Sequence, residues 1–411
     1  MPKLFEFQGK KILKENGVVI PDGKVATALD EVEKIVEGMS KPVVLKAQVW
    51  STSRAAVGGI MFAETPSEAG EAAASMLGKK FKNFSVDKIL VEEKLNIEKE
   101  FYGGLIVDDA ARGPVIIFSS QGGSGLEDIA KETPEKISSM AISVGDGLRL
   151  YQACNIIRKT GVKGKLMIKL AKVLVSLANV AINYECRSME INPLVLTKEG
   201  QIVAVDCRMT VDDKAVFRHP ELGIDIAREL DRPATELERI AYKVEESDYR
   251  GTFYFLQMED DPQGDNYIGF HGGGGGGSMM AMDALTRQGF KVPNFCDTSG
   301  NPPASKVYRA AKIIMSQNNL QGYFHSGSGV ANQEQFHTAR GLVKAFRELN
   351  LSIPAVIRIG GNSEEEAIKI LQEFTADLPG KVEAYGRDTS VDFCVNRLKE
   401  LVGEARGGSA E

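Results

Sequence analysis

Apolar positions in the first half of the chain switch period from segment to segment, whereas the second half alternates between strand-length and helix-length runs. Leu4, Phe5, Gln8, Ile12 and Leu13 fall on one side at helical spacing, and Gly17 stops that helix. Pro42–Val49 is an apolar run too short for a helix; it predicts a buried strand, ended by Ser51-Thr52-Ser53. Thr65-Pro66-Ser67-Glu68 supplies an N-cap, a proline at the first helical position and a glutamate at the third, so a helix starts there. Lys88–Glu93 and Lys99–Asp108 predict paired strands, followed by Pro114–Ser120 and by helices over Gly145–Lys159 and Gly164–Tyr184. Ser188–Leu196 and Gln201–Asp206 flank Thr197-Lys198-Glu199-Gly200, a hairpin turn.

After a helical stretch around Ala234–Glu246, the pattern predicts strands at Phe253–Gln257, Tyr267–His271, Gly322–His325, Ala355–Ile359 and Val382–Tyr385. Helices are expected between and after them, at Ser278–Gln288, Ser305–Ser316, Gln333–Leu349, Ser363–Phe374 and Val391–Leu401. Such alternation predicts a doubly wound parallel sheet, with ligand loops at the carboxyl ends of its strands. The domain boundary falls near Asp231–Asp248, giving domains 1–235 and 245–403 and a frayed tail at 404–411.

Composition narrows the function. At 411 residues the chain exceeds what one core holds, and 43% apolar with 26% charged residues is the composition of a folded protein. Its formal charge of −6 offers no field for nucleic acid or anionic lipid. Five scattered cysteines without a CxxC pair argue against disulfides and zinc knuckles, and for a reducing compartment. The start carries Glu6 and Glu15 and no apolar targeting stretch, and Leu166–Ile182 is interrupted by Lys169 and Lys172. The expectation is a cytoplasmic protein with no membrane span.

Two glycine-rich stretches follow predicted strands. Gly272–Gly277 would let backbone N–H groups approach an anion, or simply allow close packing; it satisfies a dinucleotide fingerprint, with Asp297 about 20 residues on. His325-Ser326-Gly327-Ser328-Gly329-Val330 is the second, and both would converge on one anionic ligand or serve as ordinary turns. If the hairpin strands are neighbours, Asn192 and Asp206 bring hard oxygens together, enough for Mg²⁺ carried by a nucleotide, or merely for a polar hairpin end. Lys46, inside an apolar strand, needs a phosphate or a carboxylate partner. Glu92 and Glu100 read equally well as solvated strand residues, and the four histidines show no metal spacing.

The chain resembles the β subunit of succinyl-CoA synthetase and related ADP-forming acid–CoA ligases along nearly its whole length. The matches run from Phe5-Glu6-Phe7-Gln8-Gly9-Lys10 through Val43–Val49, Ile89–Asp108 and Glu132-Thr133-Pro134. They continue at Glu190-Ile191-Asn192-Pro193-Leu194-Val195 and Phe217-Arg218-His219-Pro220-Glu221-Leu222. The resemblance implies an α/β protein: an ATP-grasp domain of two α+β lobes, then a flavodoxin-like ligase domain. By position it implies that Lys46 meets ATP phosphates, that Ser53, Arg54 and Ala55 cover them, and that Glu92, Leu95 and Glu100 contact the nucleotide. It also implies Asn192 and Asp206 as Mg²⁺ ligands, and Gly273, Ser328, Gly329 and Val330 near the acid substrate.

The chain departs from that pattern at three places. The family's Gly-Gly-Arg-Gly-Lys loop is Thr52-Ser53-Arg54-Ala55-Ala56 here, and Gly273 replaces an asparagine. Gly327–Asn332 resembles the citrate-binding loop of ATP-citrate lyase, implying an acid contact from Asn332, yet Ile359 stands where the lyase has an arginine. The implied reaction uses Mg-ATP, CoA and a small carboxylic acid (malate-, citrate- or sulfo-acid-like rather than necessarily succinate). An α subunit would carry the phosphorylated histidine and most of the CoA site. The competing readings are an NAD-binding oxidoreductase built on Gly272–Gly277, and a regulatory paralogue with an eroded loop.

Overall fold

The structure, a computed structural model, describes residues 1–50, 54–81, 84–123, 131–228, 232–248, 253–259 and 261–407. Ser53 therefore lies outside the described residues, as does 408–411 of the expected tail. The chain divides into two compact units, Met1–Pro233 and Ala234–Glu411.

The first unit opens with helix α1 (Glu6–Glu15), whose first turn is closed by the Gln8 side chain accepting from the Phe5 N–H at 2.9 Å. Strand β1 (Gly23–Ala26), helix α2 (Leu29–Met39), β2 (Val43–Ala47), β3 (Ile60–Ala63) and α3 (Pro66–Met76) follow. Thr65 caps α3 by accepting from the Glu68 N–H, with Pro66 at the first helical position as expected. After the short hairpin β4 (Lys80–Phe81) and β5 (Phe84–Ser85), β6 (Ile89–Glu93) completes a four-stranded sheet ordered β1-β6-β2-β3. Its core is Val43, Leu45, Ile89 and Val91 against Val32, Ala69, Ala73 and Met76 of α2 and α3.

The second sheet holds β7 (Ile97–Asp108), β8 (Gly113–Ser119), β9 (Ile137–Ala141), β10 (Cys186–Thr197), β11 (Ile202–Ala204) and β12 (Arg208–Val211). Here the sequence reading is corrected: β6 and β7 do not pair. Each finds its partners in a different sheet, β6 with β1 and β2, β7 with β8 and β10. Three residues between them, Lys94–Asn96, are enough to pass the chain from one lobe to the other. Helix α4 covers only Leu150–Lys159, because Ser143–Gly147 forms a turn instead of an extra helical turn. Helix α5 (Gly164–Asn183) is long and apolar enough to cross a membrane by length and composition, despite its lysines. It buries Leu170, Leu174, Leu177 and Val180 in the core of the second sheet, about 2 kcal/mol for each side chain.

The second unit starts with α6 (Glu236–Glu246), closed by a capping box in which Thr235 and Glu238 satisfy each other's backbone N–H. Its sheet is β13 (Tyr254–Gln257), β14 (Ile268–Gly273), β15 (Asn294–Asp297), β16 (Gly322–Gly327), β18 (Ala355–Arg358) and β20 (Val382–Tyr385). The order is β13-β15-β14-β16-β18-β20; only β13 is antiparallel, and the other five run second-first-third-fourth-fifth, the flavodoxin order. Helices α7 (Gly275–Arg287) and α11 (Val391–Gly407) pack on one face. Helices α6, α8 (Ala304–Met315), α9 (Phe336–Glu348) and α10 (Glu364–Phe374) pack on the other. A two-stranded parallel pair, β17 (Ala331–Glu334) with β19 (Gly361–Asn362), takes the residues where α9 was expected to begin. Helix α11 buries Leu398, Leu401 and Val402 under the sheet and runs on to Gly407, into the stretch expected as a tail.

Candidate functional site

Six charged side chains from five segments meet inside the first unit. Glu6 and Lys10, one helical turn apart on α1, face inward, because Gly9 lets the helix approach Cys207. A Cβ on Gly9 would stand 2.7 Å from the Cys207 sulfur. Lys46 comes from β2, Glu92 from β6, Arg54 from a 3₁₀ turn over Arg54–Val57, and Asp206 from just beyond β11.

Glu6 is the hub. Its Oε1 lies 2.9 Å from both Lys10 Nζ and Lys46 Nζ, and its Oε2 accepts from Arg54 Nη2 at 2.7 Å. Glu92 bridges Lys10 at 2.7 Å and Lys46 at 2.9 Å. Arg54 also reaches Asp206 at 3.1 Å and donates to the Ala47 carbonyl, while Lys46 donates to the Val205 carbonyl at 2.6 Å. Three cations thus face three carboxylates. Glu92 is 2% exposed, not the solvated strand residue that its sequence context allowed.

Burial alone would raise the Glu6 carboxyl, but Lys10, Lys46 and Arg54 hold it well below the usual range. Lys46 shows the mirror case: burial works against its charge, and Glu6, Glu92 and Asp206 raise it above an ordinary lysine. Asp206 differs, since burial and the neighbouring Glu6 push it up against Arg54, Lys46 and Lys10. A further cation beside Asp206 would therefore be favoured.

Asn192 stands at a second focus. The β10–β11 register pairs Leu194 with Ala204, and Val205 N–H donates to the Pro193 carbonyl, so the ladder sets Asn192 opposite Asp206. The Asn192 amide accepts from and donates to the backbone of Gly123, and the Glu100 carboxylate lies beside Gly123 too. Leu95 is half-buried in the link between the lobes. Beside Arg54 a cavity of about 290 Å³ opens, lined by Glu6, Trp50, Tyr102, Glu190 and Arg208. Lys10 and Glu6 escaped the sequence reading because a Glu–Lys pair four apart is the mark of an exposed helix face. Their inclusion in the Phe5–Lys10 match was the one available signal.

In the second unit, Gly273, Gly327 and Gly360 draw three strand-end loops into contact. A Cβ on Gly273 would lie 3.2 Å from Gly327 Cα, and one on Gly360 only 2.4 Å from Gly329 Cα. Ser328 N–H donates to the Gly273 carbonyl, Val330 is 84% exposed, and Asn332 bonds Asn301 and Asn362. Arg358 is committed to the carbonyls of Thr389, Gly327 and Arg387, and Ile359 is fully buried. The dinucleotide reading of Gly272–Gly277 fares poorly. Asp297 already accepts from Gly274 N–H at 3.1 Å, so a carboxylate occupies the donor that a pyrophosphate would need.

Residues 3–196 match the ATP-grasp domain family, and residues 262–399 match the citrate-binding family of ATP citrate lyase. The chain is 38% identical over 370 residues to the succinate–CoA ligase [GDP-forming] β subunit of Thermus thermophilus, covering 90% of this chain and 93% of that one. It is 35% identical over 378 residues to the [ADP-forming] β subunit 2 of Archaeoglobus fulgidus, covering 92% and 94%. Its fold is that of ATP citrate lyase from Methanothrix soehngenii, solved with citrate and coenzyme A: TM-score 0.73 at 17% identity, over 97% of this chain and 99% of that one. The chain belongs to the succinate–CoA ligase β-subunit family, ligases whose ATP-grasp domain precedes a flavodoxin-like one.

Proposed function

We propose that this chain is the nucleotide-binding β subunit of an ADP-forming acid–CoA ligase. It binds Mg-ATP in its first unit and acts with an α subunit that carries the phosphorylated histidine and most of the CoA site. Together they join a small carboxylic acid to CoA. The observation that supports this most is the convergence of Lys46, Arg54 and Asp206 on one buried point of an ATP-grasp domain.

Phosphoryl transfer asks a protein mainly for positioning and charge neutralisation. Lys46 and Arg54 take that part by exchanging Glu6 and Asp206 for phosphate oxygens. Asp206 and the Asn192 Oδ1 are hard oxygens set opposite each other, and they fit Mg²⁺ as it is bound with a nucleotide. When bound, Mg²⁺ supplies the positive charge that this neutral network lacks. Glu100 and Leu95 line the nucleotide's approach, with Ser53 and Ala55 beside Arg54 in sequence. Gly273, Ser328, Gly329, Val330 and Asn332 serve the acid.

Calorimetric titration of the full chain with ATP and with GTP, each with and without Mg²⁺, tests the nucleotide site. Magnesium-dependent binding lost in Asp206→Ala and weakened at least tenfold in Lys46→Ala is expected. Binding untouched by both substitutions overturns the assignment. Acid- and CoA-dependent ADP release then requires the α subunit, and robust turnover by this chain alone contradicts the division of labour.

A further inference from the structure

Two buried histidines lie edge to face in the second unit, with ring centroids 4.8 Å apart, and they are treated differently. His271 is satisfied at both nitrogens. Thr298 Oγ1 donates to the Gly272 carbonyl, so it accepts from His271 Nε2, and His271 Nδ1 shares a 2.5 Å hydrogen bond with the Tyr323 hydroxyl. His325 is 2% exposed, yet its Nδ1 has no hydrogen-bond partner.

The open imidazole lines a pocket with Gly273, Gly327, Ser328 and Gly360, at the carboxyl ends of three adjacent parallel strands. The pocket's volume, about 10 Å³, holds one water-sized group. Gly273 borders the ring: a Cβ there would stand 3.6 Å from His325 Nε2, in van der Waals contact with the imidazole. Burial lowers the imidazole to about 4, with the Arg358 backbone opposing that shift and its guanidinium adding to it. Near neutral pH the ring is uncharged. A neutral imidazole in a one-atom pocket suits a hydroxyl, as donor or acceptor, and gives no charge to a carboxylate.

We infer that His325, reached past Gly273, hydrogen-bonds a hydroxyl group of the acid substrate, which makes it a specificity-determining residue for hydroxy-substituted carboxylic acids. This rests on the acid–CoA ligase reading. A site built around a substrate hydroxyl rejects the analogue that lacks it, because the buried group is then left unpaired.

Two measurements separate the parts. In the assembled ligase, kcat/KM is compared for butanedioate and 2-hydroxybutanedioate; the hydroxy acid is expected to lead by at least tenfold. His325→Leu and Gly273→Ala, the second leaving the imidazole intact, each bring the ratio near one. An absent preference, or one that survives His325→Leu, overturns the inference.

The second measurement does not depend on nucleotide chemistry. The chain has four histidines, so ring-nitrogen NMR of the ¹⁵N-histidine-labelled full chain resolves each, with His325 assigned through His325→Gln. Its resonances are expected to move with 2-hydroxybutanedioate and not with butanedioate. That result without acid-dependent ADP release upholds the His325 site while removing the ligase reading. Acid-dependent ADP release with unmoved His325 resonances does the reverse.

Discussion

The two candidate sites bury ionisable groups in opposite ways. In the first, Glu6, Glu92 and Asp206 are set against Lys10, Lys46 and Arg54 in a network of ion pairs within 3.1 Å. In the second, His271 and His325 lose their charge altogether. A paired network suits a site that trades one anion for another, since its cations are already positioned. A neutral ring suits discrimination between uncharged substituents. The first arrangement is costly to break from one side, because removing a partner leaves a buried charge alone.

The largest effect expected follows from that asymmetry. Glu6→Ala leaves three cations facing two carboxylates, and should destabilise the first unit by about 3–5 kcal/mol. Trp50 is the chain's single tryptophan and belongs to that unit, so its fluorescence melting curve reads the loss selectively. An unchanged midpoint would mean that the network is water-relaxed, and the contrast with the second unit would fall.

Acid separates the units next. A His325 that ionises near 6.5 unfolded and near 4 folded takes its proton preferentially when unfolded. Its stability contribution is complete above pH 6.5 and declines as pH falls toward 4, by about 3 kcal/mol. His271, lowered well below 6.5 by burial and by His325, adds in the same direction. Glu6 acts later: held well below 4.5, it stabilises above that value and gives this up as pH drops through its folded value. Asp206, raised, carries the opposite sign and offsets part of it. Hydrogen exchange between pH 6.5 and 4 should therefore loosen the second unit while Trp50 fluorescence holds; simultaneous loss would break the comparison.

Legibility in the sequence follows the same divide. The flavodoxin-like unit was readable because its strands and helices alternate with strand-length apolar runs, and β20 falls where the pattern placed it. The first unit misled at Lys88–Asp108, where two strands adjacent in sequence serve different sheets, something that only tertiary pairing decides. Lys46 announced a partner by being a charge in an apolar strand. Glu92 and Glu6 gave no such sign, since a carboxylate looks the same in sequence whether it meets water or a buried lysine. Asn294–Asp297 was missed as a strand because its polar ends hide a two-residue apolar centre.

Within the second unit, Tyr323→Phe removes the hydroxyl that satisfies His271 Nδ1, and should cost about 2 kcal/mol by leaving that nitrogen unpaired. Urea unfolding followed by circular dichroism measures it. A cost near zero would mean that the ring rotates or recruits water, and that His271 is no firmer than its neighbour.

The smallest effect is the most telling, because its sign is unusual. His325→Leu replaces a buried ring whose Nδ1 has no hydrogen-bond partner by an apolar group, giving up the ring's interaction with the Arg358 backbone. Substituting an unpaired polar group in this way is neutral or stabilising, here by up to about 1 kcal/mol. Urea unfolding of the variant beside wild type reads it directly. A core position that becomes more stable when its polar group is removed is one kept polar for something other than the fold. If His325→Leu instead destabilises as Tyr323→Phe does, the two histidines form one structural pair, and the open nitrogen has no separate purpose.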